Sequence, residues 1–176
     1  FDDIEAIYAS GMVTSNVGLY ELPHLTAPAS LEDFARGIKD VSIDNICPLP
    51  ISFIPGLKNM ENGQVSLSHL EAMDIMRGEE TEALALLSSI TSDNNNGILL
   101  VLPGSHTKFV AVDQAGRLTG CLTSMAGEFL SMITNHSIVA DAVQHQFVNQ
   151  DIQSDYLLAG YKSAAQTSLS RAVFLT

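Results

Sequence analysis

The apolar pattern changes period several times along this chain. Ile4 to Ala9 alternates loosely and stops at Ser10-Gly11, which predicts a strand running into a loop. The loop, Met12 to Pro28, is rich in Ser, Thr, Asn, Gly and Pro and long for a mere connection, which marks it as a functional candidate. Ser30-Leu31-Glu32-Asp33 resembles a capping box with Asp in place of Glu and opens a helix to about Ile38. Ile51 to Ile54 is a brief apolar run closed by Pro55-Gly56. From about Leu70 to Ile90 the spacing of Met73, Met76, Leu84, Leu87 and Ile90 predicts a helix, interrupted near its start by the polar block Arg77 to Glu82.

Asp93-Asn94-Asn95-Asn96-Gly97 is a breaker and the best candidate for a boundary between two lobes. Beyond it, Ile98 to Leu102 reads as a buried strand, Lys108 to Asp113 as its neighbour, and Leu118 to Leu122 as a third strand after the Gln114–Arg117 turn. Helices are predicted over Gly127 to Asn135 and from Ser154 to about Ala172. Strands and helices alternate, so the expected class is α/β, and no internal repeat is present.

Composition narrows the functions. The 176 residues make one ordinary domain or two small ones, and apolar residues, 46% of the chain, are enough for a packed core. A net charge of −12, from 20 acidic and 8 basic residues, argues against a nucleic-acid partner, which needs clustered Lys and Arg. It leaves room for a small anion in one basic pocket. No apolar run is long enough for a membrane span, and the start, Phe1-Asp2-Asp3-Ile4, lacks the features of a signal peptide. Cys47 and Cys121 have no metal-type spacing and read as buried free thiols of a reducing, cytoplasmic protein. His24, His69, His136 and His145 show no zinc-ligand spacing, so no metal site is expected from them.

Two polar clusters carry candidate chemistry. In Gly104-Ser105-His106-Thr107-Lys108, a tight turn offers backbone N–H groups, two hydroxyls and an ammonium, a combination that suits phosphate. His106 either donates to that phosphate or anchors the turn. This is not the P-loop pattern, and no nucleophile elbow occurs elsewhere. In Arg77-Gly78-Glu79-Glu80, the carboxylates either favour the dipole of a helix first turn or include a general base. Neighbouring helical residues point about 100° apart, so only one of Glu79 and Glu80 can face a given substrate. Arg77 suits a substrate carboxylate, which it can bind through two parallel hydrogen bonds.

Several segments in order resemble the 2-dehydro-3-deoxygalactonokinases, sugar-acid kinases of the actin-like, ribonuclease-H-fold superfamily. They are Ser10 to Gly18, Leu22-Pro23-His24-Leu25, Ile54-Pro55-Gly56, Met76 to Glu82, Leu102 to Lys108, Met125 to Phe129 and Asn135 to Ile138. The resemblance implies transfer of the ATP γ-phosphoryl to the 6-hydroxyl of 2-dehydro-3-deoxygalactonate, with Mg accompanying ATP. It implies Glu79 as base with Glu80 as fallback, the Gly104 to Lys108 hairpin as the second phosphate loop, and sugar contacts from Ser15 and Asn16. Residues 1–92 would be the remainder of the N-terminal, sugar-binding lobe, and 98–176 the start of the C-terminal lobe.

Ala126 stands where the family usually has Thr, and Phe109 where it has Trp. The Asp-x-Gly-Thr turn and the adenosine-binding segment of such kinases are not in these residues, so the expectation is a central fragment, inactive by itself. A chain without its flanks can also expose apolar faces and self-associate as a homo-oligomer. The alternative is a non-catalytic module that binds or senses a sugar acid without ATP chemistry.

Overall fold

The computed structural model describes residues 3–59, 67–90, 96–146 and 153–175. The chain forms two compact units, Phe1–Pro103 with Thr107–Ser124, and Gly104–His106 with Met125–Thr176. In chain order the first unit contains β1 (Ile7–Ala9), β2 (Leu25–Thr26), α1 (Leu31–Gly37), β3 (Lys39–Ile43) and β4 (Cys47–Phe53). It continues with β5 (Leu57–Lys58), β6 (Ile75–Met76), α2 (Glu79–Ser89), β7 (Ile98–Leu102), β8 (Thr107–Val112) and β9 (Leu118–Ser124). The second unit contains α3 (Ala126–His136), α4 (Ser154–Gln166) and α5 (Leu169–Phe174). The class is α/β, as the alternation of strands and helices predicts.

Among the described residues, three small sheets build the first unit. In one, β4 lies between parallel β1 and antiparallel β3. In another, β5 lies between parallel β2 and antiparallel β6. The third is the antiparallel meander β7–β8–β9. Period-two alternation sends Leu100, Leu102, Val110, Val112 and Leu118 to one face of the meander, where they bury with Leu57, Met76 and Phe34. The intervening Leu99, Val101 and Leu122 stay exposed. A second cluster gathers Leu22, Cys47, Ile51 and Phe53, and Tyr20 leans on the Phe53 ring with centroids 5.4 Å apart. Full burial of a ring such as Phe53 contributes about 1.5–3 kcal/mol.

Local signals explain several boundaries. Ser30 caps α1 in a full capping box: its hydroxyl accepts the Asp33 N–H at 3.3 Å, and the Asp33 carboxylate accepts the Ser30 N–H at 2.9 Å. Those bonds hold the Asp33 carboxyl below the usual carboxylate range. The three strands expected after residue 97 form as predicted, and α3 spans the expected helix with one extra residue at each end.

Other expectations need correction. The helix predicted from Leu70 to Ile90 begins only at Glu79. Residues 67–72 form a 3₁₀ turn, and Met76 sits in β6 opposite Leu57. Gly78, at φ +118°, stops any continuous helix, and Met76 earns its burial in a sheet instead. The C-terminal helix divides at Thr167, whose hydroxyl bonds back to the Ser163 carbonyl at 2.7 Å, and Ser168 caps α5 by accepting the Arg171 N–H. Strand β3 was not expected; it forms a hairpin with β4 around Asp44 to Ile46. Most of the predicted 93–97 breaker lies outside the described residues. Among the described residues, no helix is long and apolar enough to cross a membrane.

Candidate functional site

The Arg77-Gly78-Glu79-Glu80 cluster sits where β6 turns into α2. Gly78 and Gly11 both have positive φ, which favours glycine, and a Cβ on Gly78 would lie a tight 3.2 Å from the Gly11 Cα, so the two backbones approach closely. This close approach brings the loop after β1 to the start of α2. Arg77 then locks it. One terminal nitrogen donates to the carbonyl and the hydroxyl of Thr14, both at 2.6 Å. The other donates to the Leu22 carbonyl at 2.9 Å and meets His24 Nδ1 at 3.1 Å.

A guanidinium carries no acceptor, so His24 Nδ1 must accept, and the ring is neutral with its proton on Nε2. Burial first, then the charges of Arg77 and Lys58, hold the His24 pKa below the ordinary histidine range, in agreement with that bond. Nε2 itself is buried with no partner among the described residues.

The two glutamates take different environments, as their 100° separation requires. Glu80 is fully buried, and both its oxygens accept the Gly78 N–H, at 2.8 and 2.9 Å. Burial raises its pKa above the usual carboxylate range, against the pull of backbone hydrogen bonds. Glu79 keeps about 30% of its side chain exposed; Oε2 accepts the Arg77 N–H at 3.1 Å, and Oε1 stands 4.0 Å from the Lys108 ammonium. Of the two, Glu79 is the carboxylate that a substrate can reach.

The remaining predicted residues separate. Ser15 is buried, and its hydroxyl closes its own turn by donating to the Met12 carbonyl at 2.7 Å, while Asn16 beside it is exposed. The predicted phosphate turn divides between the units, with Gly104, Ser105 and His106 in the second and Thr107 and Lys108 in the first. In the second unit, His106 pairs with Glu128 at 2.7 Å, and the Ser105 carbonyl accepts the Glu128 N–H at 3.0 Å. A Cβ on Gly127 would meet the Gly104 carbonyl oxygen at 2.3 Å, so only glycine fits there. In the first unit, Thr107 opens β8, and Lys108 is buried with its ammonium on the Ile75 carbonyl and the Thr123 hydroxyl.

Asp74 and Thr123 have no motif of their own, and Thr14, within the matching Ser10 to Gly18 segment, has no signal that sets it apart there. His24 stood inside a matching segment, yet its burial against Arg77 is a tertiary fact. Asn59 also escaped notice: its amide donates to the Ala72 and Cys121 carbonyls and accepts the Cys121 N–H, tying β5 to β9. Cys121 is pushed up to about 11, chiefly by burial, so it stays a protonated packing group. Cys47 and Cys121 are both free and buried, as expected. A cavity of about 610 Å³ beside Asn59 is walled mainly by Leu99, Phe109, Ala111 and Leu122, and no predicted site residue lines it. Among the described residues, no three His, Cys, Asp or Glu side chains gather as metal ligands.

Three comparisons bear on this geometry. The family model described as "2-keto-3-deoxy-galactonokinase" matches residues 2–176. An Escherichia coli (strain K12) protein named "2-dehydro-3-deoxygalactonokinase" is 30% identical over 161 residues, which cover 92% of this chain and 47% of that protein. A Rhizobium meliloti (strain 1021) protein, "Probable 2-dehydro-3-deoxygalactonokinase DgoK1", is 30% identical over 140 residues, covering 78% of this chain and 40% of the other. The chain thus spans about half the length of the curated relatives it matches. In fold, it resembles the protein of the "Crystal structure of a putative 2-dehydro-3-deoxygalactonokinase protein from Sinorhizobium meliloti". The TM-score is 0.66 at 22% identity, over 96% of this chain and 60% of that one.

Proposed function

Because the chain belongs to the 2-keto-3-deoxy-galactonokinase family, we propose that it is the central part of an ATP-dependent sugar-acid kinase. The reaction moves the γ-phosphoryl of ATP to the 6-hydroxyl of 2-dehydro-3-deoxygalactonate, releasing ADP. The observation that carries this reading is the unequal pair at the start of α2: Glu79 reachable and beside an ammonium, Glu80 sealed in. A general base has to reach the proton it takes, and of the two glutamates only Glu79 has the exposed surface to do so.

Glu79 accepts the proton of the attacking hydroxyl as its oxygen bonds to phosphorus and the bond to the ADP oxygen breaks. Glu80 holds the Gly78 N–H and with it the turn into α2. Asn16 contacts the sugar acid, and Ser15 shapes the turn that presents it. Arg77 supports the site from behind, since both its terminal nitrogens are bonded to the loop of Thr14, Leu22 and His24. In place of the substrate-carboxylate contact expected of Arg77, this reading gives it the shaping of the sugar loop. Gly104, Ser105, His106 and Thr107 provide phosphate contacts, and residues 1–92 and 98–176 belong to the two lobes of the whole kinase.

Magnesium would travel with ATP and neutralise developing charge on its phosphates. Among the described residues, no three His, Cys, Asp or Glu side chains gather to hold it. The test is ADP release in a coupled assay with magnesium-ATP and 2-dehydro-3-deoxygalactonate, on the full-length protein and on this chain. Turnover by the full-length protein supports the kinase. No turnover by either, with sugar-acid binding retained in calorimetry, favours a binding module.

A further inference from the structure

Lys108 is only 6% exposed. A buried ammonium stays charged only among acceptors and counter-charges, and its neighbours fix what it can do. Nζ donates to the Ile75 carbonyl at 2.7 Å and to Thr123 Oγ1 at 2.6 Å. A threonine hydroxyl has one proton, and Thr123 gives it to Asp74 Oδ1 at 2.7 Å, so its lone pair is what meets Lys108. Asp74 is held in turn by the N–H groups of Ile75 and Thr123. Every proton direction from Lys108 through Thr123 to Asp74 is thereby set.

Among the described residues one N–H of the ammonium remains, and the next charge is Glu79, its Oε1 4.0 Å away. That separation lies beyond hydrogen-bond length, so the ammonium attracts the carboxylate without taking up the lone pairs of Oε1. The other oxygen, Oε2, is tied to the Arg77 N–H. Glu79 is thus fixed at one oxygen and drawn by a rigid positive charge at the other. A flexible glutamate would otherwise spread over several rotamers, and misplacement of about 1 Å can cost on the order of 100-fold in rate.

We propose that Lys108 is a positioning residue for Glu79, anchored through Thr123 to Asp74, and that it is not a phosphate ligand. The inference rests on the reading of Glu79 as the general base of a sugar-acid kinase. It replaces the phosphate role that the Gly104 to Lys108 turn suggests for this lysine.

The test uses the full-length protein. Lys108→Met should lower kcat about 10–100-fold with each KM, for ATP and for the sugar acid, within about threefold of wild type. Adding it to Glu79→Gln should cost nothing more, because the lysine acts only through the carboxylate. A KM for ATP raised about tenfold or more with kcat retained returns Lys108 to the phosphates and overturns the proposal, as does a wild-type kcat.

Thr123→Val removes the link to Asp74 while keeping side-chain volume. It should lower kcat in the same way but less, and it decides the matter should Lys108→Met not fold. A readout besides turnover is the carbon-13 resonance of the Glu79 carboxylate, assigned by its loss in Glu79→Gln. It should move in both variants, and a resonance that stays in place overturns the inference whatever the kinetics. A Glu79→Gln enzyme at the wild-type rate sinks the general-base reading instead, and the resonance then decides the contact between Lys108 and Glu79 by itself.

Discussion

The polar cluster at the start of α2 and the one at the start of α3 contain the same kinds of groups under opposite conditions. In the first, Arg77, Glu80 and Lys108 are buried or half-buried, and each makes two or more hydrogen bonds within 3.1 Å, those of Glu80 both to the Gly78 N–H. In the second, His106 and Glu128 share one contact of 2.7 Å while their side chains are 55% and 45% exposed. Water competes for every bond in the second cluster and for few in the first. Burial therefore divides labour between neighbours: Glu79 stays reachable while Glu80 becomes structural. At the surface no such division is forced, and the pair can break at little cost.

The largest expected effect tests that division directly. In the full-length protein, Glu79→Gln should lower kcat by about 10²–10⁴ with modest change in either KM, whereas Glu80→Gln should stay within about fivefold. Gln at position 80 can still accept the Gly78 N–H through its amide oxygen. Steady-state kinetics of the two variants decide it, and a larger loss from Glu80→Gln would exchange their roles. Next in size is Arg77→Lys. One ammonium cannot span the acceptors on Thr14, Leu22 and His24, so the unfolding free energy should fall by about 2–4 kcal/mol in chemical denaturation. A loss under about 0.5 kcal/mol would show that the latch is dispensable.

Much of this was legible in the chain, and what was not has a common cause. The Ser30–Asp33 box and the three strands of the meander follow from caps and period-two runs, which are local. The helix predicted from Leu70 failed because Met73 and Met76 fit a helical period by coincidence, while the positive φ of Gly78 is set by contact with Gly11. Strand β3 carried a usable signal, the alternation of Lys39 to Ile43 before Asp44-Asn45. The site was legible as a set of residues but not as an arrangement. Nothing near Lys108 in sequence says that its ammonium meets Ile75 and Thr123 rather than the turn before it. Those partners come from β6 and β9, which no spacing rule joins.

The pH dependence of the first cluster should be smaller than the effect of Arg77→Lys but visible. His24 must be neutral to accept from Arg77, and burial holds its pKa below the ordinary value. As pH falls, the unfolded chain therefore takes up the proton first. Its contribution to stability is whole above about pH 6.5 and is lost progressively below it, toward the lowered folded value. Denaturation midpoints between about pH 7.5 and 5 should fall more steeply in wild type than in His24→Asn, which has no proton to gain at that position. Equal slopes would mean that the histidine titrates alike in both states.

The smallest effect belongs to the second cluster. His106→Ala removes the contact with Glu128, yet the Ser105 carbonyl still accepts the Glu128 N–H and Gly127 still allows the close approach of Gly104. An exposed polar contact, charged or not, contributes about 0–1 kcal/mol, so the unfolding free energy should shift by no more than about 1 kcal/mol. Salt is the sharper probe. At about 1 M the screening length is near 3 Å, so whatever part of the difference between wild type and variant comes from charge should vanish. A loss that matches Arg77→Lys and persists in salt would mean that the pair is buried in the longer protein. The contrast between the clusters would then belong to these residues alone and not to the proposed full-length enzyme.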